Sequence, residues 1–258
     1  MKYTGLNPIY VRGSKFELGY GYSNFIKLKI NNKIFTPIIS ATANTHGLKD
    51  WKDRIKNKVF VGIEEKSKYL SFFADANEFE LSGPFIAGYP SIRLGESVWG
   101  PTCGFKLGKL KNYSKMGIYS DWKFVIKKGY ANLAYDIWLT KGESGPVKKN
   151  DIEIMVWLDY NFEVPHEIIK ETDIFKLKYI KKRGGQFDGV NWITFIIKKG
   201  KSNNFKFDLL DLINYCKTKI KNIEDYYIRS IDLGVELSKN TKAEAKLYEL
   251  NFDFTKRG

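Results

Sequence analysis

Short apolar runs rich in β-branched and aromatic residues recur along most of the chain, and residues that form tight turns separate them. The clearest runs are 58–63, 68–74, 122–126, 131–140, 152–160, 192–198 and 245–254. Runs of this kind predict β-strands. The intervening pairs Asn31-Asn32, Gly184-Gly185 and Asp188-Gly189 suit the positive φ of hairpin turns. The pattern predicts an all-β sandwich of two stacked antiparallel sheets.

One segment departs from this pattern and predicts a helix. Its apolar residues recur at helical spacing and are Leu209, Leu212, Ile213, Cys216, Ile220 and Ile223. Asp208 precedes them and is a candidate N-cap. Short apolar runs also fit a strand, but the length of this pattern favours a helix. Cys216 then lies on the buried stripe, where a packed thiol is expected rather than a reactive one.

Composition argues against several classes of protein. The net charge of +14 suits phosphate binding, but the lysines are scattered and alternate with apolar residues, which indicates solvated strand faces. With two cysteines and two histidines, no zinc-ligand spacing can be assembled, so we expect no metal and no cofactor. No apolar run is long enough for a membrane helix. Lysine outnumbers arginine, as in thermophiles and in AT-rich genomes.

The organisation of the chain predicts one domain over residues 1–258. No shift in composition, no linker rich in Pro, Gly or Ser, and no internal repeat divides the sequence. The first ten residues lack the apolar block of a secretory signal.

The strand over 151–158 carries candidate chemistry on one face. Its period of two places Glu153, Met155 and Trp157 on one side and the aliphatic residues on the core side. A carboxylate, a thioether and an indole together suit a sugar-binding cleft, where sugar rings stack on aromatic side chains. The alternative is a surface glutamate beside a half-buried tryptophan.

Two further strands repeat this arrangement. In 134–139, Asp136 and Trp138 share one face. In 231–237, Glu236 is in line with Gly234, whose missing side chain leaves room for a ligand to approach the backbone. Trp192 has no carboxylate neighbour in its own strand, and we expect it in the core.

These segments resemble glycoside hydrolase family 12, the small β-jelly-roll endoglucanases. Glu153 lies in Glu-Ile-Met-Val-Trp-Leu, which resembles the strand of the nucleophile. Residues 132–138 resemble the strand whose aspartate hydrogen-bonds the nucleophile, and 228–236 resemble the segment that ends in the acid/base glutamate. The Tyr-Pro strand at 88–92 is also similar. Order and spacing agree over roughly 68–254, although Leu237-Ser238 replaces the usual Pro-Phe or Phe-Gly after Glu236.

The resemblance implies a jelly roll whose concave sheet forms a cleft for β-1,4-linked glucan, hydrolysed with retention of configuration. Glu153 would be the nucleophile, Glu236 the acid/base, and Asp136 would orient Glu153. Retaining chemistry requires the two glutamates about 5 to 5.5 Å apart. At that separation an ionised Glu153 raises the pKa of Glu236.

Further expectations concern the substrate and the cell. The expected substrate-binding residues are Trp138, Met155, Trp157, Asn44, Trp99 and Pro165. We expect a monomer that binds a β-glucan polysaccharide, with no nucleic acid and no membrane as partner. A polymeric substrate implies a secreted, extracellular protein. The alternatives are a non-catalytic carbohydrate-binding β-sandwich and a xyloglucan-specific endoglucanase.

Overall fold

The period-two alternation of the sequence corresponds to two stacked β-sheets in the computed structural model of the chain. The structure describes residues 10–12, 18–21, 25–42, 58–62, 69–75, 86–98, 105–163, 167–181, 188–198, 203–238 and 240–258.

The strands are numbered in chain order. They are β1 Tyr10–Arg12, β2 Leu18–Gly21, β3 Ile26–Ile30, β4 Lys33–Phe35, β5 Ile39–Thr42, β6 Lys58–Gly62, β7 Leu70–Asp75, β8 Ile86–Gly88, β9 Ser91–Gly95, β10 Gly108–Lys109, β11 Tyr113–Lys128, β12 Ala131–Thr140, β13 Ile152–Tyr160, β14 Ile168–Glu171, β15 Phe175–Lys181, β16 Asn191–Ile197, β17 Asn204–Asp208, β18 Tyr227–Ser238 and β19 Lys242–Lys256. Helix α1 covers Leu209–Cys216, and two 3-10 turns cover Leu110–Asn112 and Ile223–Asp225.

The strands form two sheets. The first has the order β1-β6-β7-β19-β11-β17, with β3 paired to β19 and β4 paired to β3. The second has the order β14-β15-β16-β13-β12-β18-β9-β5-β2, with β8 and β10 paired to β18. Most pairs are antiparallel, but β13 pairs with β16 and β19 pairs with β3 in parallel. The predicted all-β jelly roll with one helix is confirmed, and these parallel pairs are an addition to it.

The main core lies between the sheets. The second sheet contributes Tyr135, Ile137, Leu139, Ile152, Ile154, Val156, Ile231, Leu233 and Val235, and the first contributes Met116, Ile118, Leu247, Leu250, Phe252 and Phe254. Burying one such side chain stabilises the fold by about 1.5–3 kcal/mol. Since successive residues of a strand point to opposite faces, the even-numbered residues 132–138 of β12 and 230–236 of β18 and the odd-numbered residues 153–157 of β13 project away from this core. We call this second surface the site face.

Helix α1 is shorter than the sequence predicted. Asp208 caps it as expected, because its Oδ1 accepts a 2.9 Å hydrogen bond from the Leu210 amide. The helix ends at Cys216, and a turn follows in which Lys219 and Ile220 both donate their amides to the Cys216 carbonyl. Ile220 and Ile223 are nevertheless buried, so the apolar spacing reflects burial across a helix and a turn. Cys216 is buried as predicted.

Three of the predicted turn residues adopt positive φ, whereas Asp188 does not. Asn31 and Asn32 join β3 to β4 with φ of 46° and 68°, and Gly189 has φ of 78°. Gly184-Gly185 lies outside the described residues. Within the part of the chain that is described, no helix has the length and apolar character needed to cross a membrane.

Candidate functional site

Strand register brings the three predicted carboxylates onto the site face. Trp138 is level with Glu153 on β13, Asp136 is level with Asp232 on β18, and Asn132 is level with Glu236. Asp136 therefore lies between the two glutamates, one two-residue step from the level of Glu153 and two steps from that of Glu236.

Glu153 is enclosed rather than solvated. Its side chain is only 5 % exposed, because large indole-bearing residues flank it in the register: Trp138 on β12 and Trp192 on β16. Trp192 is half-buried and packs against the cluster around Trp157 on this face. Trp192 has no carboxylate neighbour in its own strand, as expected, but the pairing with β13 places Glu153 beside it.

Asp136 holds its proton more tightly than an ordinary aspartate. Burial raises its pKa well above the usual value, and the negative charges of Glu153, Asp232 and Glu236 raise it further. The Trp138 indole N–H donates a 3.0 Å hydrogen bond to Asp136 Oδ2, which opposes the shift. Asp136 Oδ1 is buried and has no hydrogen-bond partner among the described residues. Burial and the neighbouring negative charges thus favour the protonated form of Asp136.

Glu236 is half-buried and is fixed by a neighbour that the sequence analysis did not assign to the site. The Asn132 Nδ2 donates a 2.7 Å hydrogen bond to Glu236 Oε2. Asn132 is in phase with Asp136 in the period-two pattern, and this signal could have identified it. Tyr89 lies nearby and donates its hydroxyl to the Ala134 carbonyl at 2.9 Å. Burial, followed by the charges of Asp136, Asp232 and Glu236, raises the Tyr89 pKa well above its usual value.

A buried ion pair extends the site face beyond the predicted residues. Arg93 Nε lies 2.8 and 2.9 Å from the two carboxylate oxygens of Asp232, and Nη2 lies 2.5 Å from Oδ2. Neither residue was predicted as part of the site. Asp232 was visible as a residue in phase with Glu236, but its partner lies 139 positions away along the chain.

The predicted substrate-binding side chains on β12 and β13 occupy the site face but are covered. Trp138, Met155 and Trp157 are each buried. Trp138 packs with Val98, Val190 and Val147. The Trp157 ring centroid lies 5.0 Å from that of Phe162 and 6.0 Å from that of Tyr160. These indoles have packing partners where stacking on sugars requires open ring faces.

The other three predicted substrate-binding residues, Asn44, Trp99 and Pro165, lie outside the described residues.

Gly234 makes room for the protein's own backbone rather than for a ligand. A Cβ at this position would lie 2.4 Å from the Pro90 carbonyl oxygen and 2.6 Å from Ser91 Cβ. The expectation that this glycine admits a ligand is therefore wrong. Its lack of a side chain instead lets the segment leading into β9 pack against β18.

Among the described residues, no group of three or more His, Cys, Asp and Glu side chains is arranged to hold a metal ion.

Comparison with known proteins gives a family and a fold. The model of "Glycosyl hydrolase family 12" matches residues 102–254. Among solved structures, a native family 12 xyloglucanase from Bacillus licheniformis has a TM-score of 0.67 at 19 % identity, with 93 % of this chain and 100 % of that chain covered. A metagenome-derived family 12 endoglucanase has a TM-score of 0.67 at 16 % identity, covering 97 % of this chain and 99 % of that one.

A third solved structure is similar as well. Endoglucanase cel12A from Rhodothermus marinus has a TM-score of 0.62 at 18 % identity, covering 85 % of this chain and 92 % of that one. A search of curated protein sequences gives no match.

Proposed function

The chain belongs to glycosyl hydrolase family 12, and we propose that it is an endo-β-1,4-glucanase that retains the anomeric configuration. The observation that carries this proposal is the shared face of Glu153, Asp136 and Glu236. Glycoside hydrolysis uses two carboxyl groups, one charged and one protonated. The charges of Glu153 and Glu236 both raise the Asp136 pKa, which supports one interacting group of acids.

In the first step Glu153 attacks the anomeric carbon through a carboxylate oxygen. The bond from that carbon to the glycosidic oxygen breaks, and Glu236 transfers its proton to the departing oxygen. A covalent glycosyl-enzyme remains on Glu153.

In the second step Glu236, now a carboxylate, removes a proton from water. The resulting nucleophile attacks the anomeric carbon, the ester bond to Glu153 breaks, and two inversions give net retention. The hydrogen bond from Asn132 holds the Glu236 carboxylate in position for this step.

Asp136 has a supporting role in this scheme. Its carboxyl group lies one two-residue step from the level of Glu153, and its raised pKa favours the protonated form. A protonated carboxyl group donates a hydrogen bond, whereas two bare carboxylates at contact distance repel each other. Asp136 would therefore orient Glu153 while Glu153 carries the negative charge.

The stereochemistry of the product tests the mechanism. The enzyme is mixed with a soluble cello-oligosaccharide, and proton NMR follows the anomeric signals before mutarotation. Retention predicts that the β-anomer accumulates first. Early accumulation of the α-anomer would contradict the proposed role of Glu153 as a nucleophile.

The mode of attack and the substrate are tested on polymers. Internal cleavage lowers the viscosity of barley β-glucan faster than it releases reducing ends, and we expect this on mixed-linkage glucan and on carboxymethylcellulose. Cleavage of xyloglucan alone would favour the xyloglucan-specific alternative. Binding of these polymers without any release of reducing ends would favour a non-catalytic carbohydrate-binding protein.

The same proposal implies that the enzyme is extracellular and monomeric. A β-glucan polymer does not cross a lipid bilayer, so its hydrolysis requires an exported enzyme. We expect a monomer, and sedimentation velocity on the active protein tests this expectation.

A further inference from the structure

Arg93 and Asp232 place a fixed pair of opposite charges beside Asp136. Their side chains are 8 % and 1 % exposed, and three hydrogen-bond contacts join them. Register places both residues and Asp136 at the same level of three adjacent strands. Two charges this deeply buried are tolerated when they pair and satisfy each other's hydrogen bonds, whereas removing one partner leaves the other uncompensated.

The charged and titratable groups around Asp136 come from several strands. They are Glu153 on β13, Asp232 and Glu236 on β18, Arg93 on β9, and Tyr89 between β8 and β9. On the other side, β16 presents Thr194 and Trp192 beyond β13. Lys178 on β15 lies opposite Thr194 in the strand register. Its Nζ lies 3.2 Å from Oε2 of Glu163. Among the described residues of this group, Arg93 is the cation that contacts a carboxylate on β13, β12 or β18, namely that of Asp232.

We propose that Arg93 is a positioning residue for the hydrolysis: by holding Asp232 in an ion pair, it sets the charge beside Asp136 and thereby the pH range in which Glu153 is ionised. This inference rests on the proposed function. Neither Arg93 nor Asp232 needs to touch the substrate, because the effect acts through Asp136.

The two members of the pair predict opposite effects. Arg93→Met leaves an uncompensated negative charge, which favours protonation of the neighbouring carboxyl groups. The acidic limb of the pH profile should then move to higher pH. Asp232→Asn leaves an uncompensated positive charge, so the same limb should move to lower pH. The double variant should return towards the wild-type profile, because coupled groups respond to the sum of neighbouring charges.

The experiment measures kcat/KM on barley β-glucan against pH for the full chain, both single variants and the double variant. We expect shifts of about 0.5–1 pH unit in opposite directions. Lys115→Met is the matched control, because it removes a cation 2.6 Å from Asp253 on the first sheet. Its profile should coincide with that of the wild type. Shifts in one common direction, or none, would show that the pair serves stability alone.

A measurement that does not use activity separates this inference from the proposed function. Carbon-13 NMR follows the titration of the aspartate carboxyl groups, and Asp136→Asn assigns the Asp136 signal. If the two single variants shift this titration in opposite directions but the protein cleaves no β-glucan, the electrostatic coupling stands and the hydrolytic role is overturned. An unmoved titration in an active glucanase would overturn the coupling only.

Folding of the variants does not limit the test. Arg93→Lys keeps the charge and Asp232→Asn keeps the shape, so this pair decides the outcome even where Arg93→Met does not fold. Arg93→Lys should keep a near wild-type profile, and a displacement as large as that of Asp232→Asn would contradict the charge-based role.

Discussion

The side-chain amide of Asn132 donates a 2.7 Å hydrogen bond to Oε2 of Glu236, and the two residues lie directly opposite each other on β12 and β18. Asn132 is fully buried, and its own Oδ1 has no hydrogen-bond partner among the described residues. The pair therefore orients Glu236 with one end of the amide and keeps an unused acceptor at the other end.

Replacing either glutamate should remove most of the activity. Glu153→Gln removes the attacking carboxylate and Glu236→Gln removes the proton donor, and a proton-transfer role alone is worth about 10²- to 10⁴-fold. We expect each variant to lose at least about 10²-fold in kcat/KM on β-glucan. Glu244→Gln is the control, because Glu244 lies on the first sheet beside Lys246. Near wild-type activity in either glutamate variant would overturn the assignment.

Trp157→Ala should destabilise the fold more than it weakens substrate binding. The indole is 1 % exposed and packs against Phe162 and Tyr160, so truncation leaves a cavity. Removing a buried tryptophan costs about 3–5 kcal/mol, and urea unfolding measures this loss. Phe35→Ala, at an exposed aromatic residue, should cost about 0.5 kcal/mol or less. Unchanged stability with a raised KM would instead indicate an indole that stacks on sugar.

Gly234→Ala should also destabilise the protein. Its new Cβ would lie 2.4 Å from the Pro90 carbonyl oxygen. The backbone of β18 or of the Pro90-Ser91 segment must shift to relieve this contact. Overpacking of this kind costs about 1–3 kcal/mol. In Gly142→Ala, the added Cβ would come no closer than 3.3 Å to a neighbour, and this variant should unfold at nearly the wild-type temperature. Equal melting temperatures for the two variants would show that the segment leading into β9 shifts without a measurable loss of stability.

Strand faces were predictable from sequence, and the surroundings of each side chain were not. In β13 the alternation alone separated the core residues from Glu153, Met155 and Trp157, since a one-residue error would have put a carboxylate into the main core. The burial of Glu153 depends on Trp192, which joins it through a parallel pairing that no local pattern encodes. The pairing of Arg93 with Asp232 likewise joins distant parts of the chain.

The same distinction applies to helix α1. Its cap at Asp208 is a local interaction and was predicted. Its end at Cys216 was not, because Ile220 and Ile223 continue the apolar spacing from outside the helix. Burial alone therefore extended the predicted helix beyond Cys216, where the helix ends.

Cys216 should be unreactive in the folded protein. Burial raises its pKa to about 12, so at pH 8 almost no thiolate is available to attack a disulfide reagent. In a Cys103→Ser background, Ellman's reagent should release almost no colour from the native protein and one equivalent after unfolding in guanidinium. Rapid reaction of the native protein would show that the helix opens easily at its C-terminal end.

Asp136→Asn should stabilise the protein by an amount that grows with pH. Because burial and neighbouring charges raise the Asp136 pKa, the folded state binds this proton more tightly than the unfolded state does. This tighter proton binding stabilises the folded state fully below the unfolded pKa of about 3.9. The stabilisation is lost as pH rises through the raised pKa of the folded state. Each unit of difference between the folded and unfolded pKa corresponds to about 1.4 kcal/mol in the free energy of unfolding. Asparagine does not ionise, so the variant avoids this loss. Thermal unfolding at pH 4, 6 and 8 should show a widening gain over wild type, whereas Asp211→Asn, at an exposed residue of α1, should show none. A constant difference across this range would mean that Asp136 ionises as an ordinary surface carboxylate does.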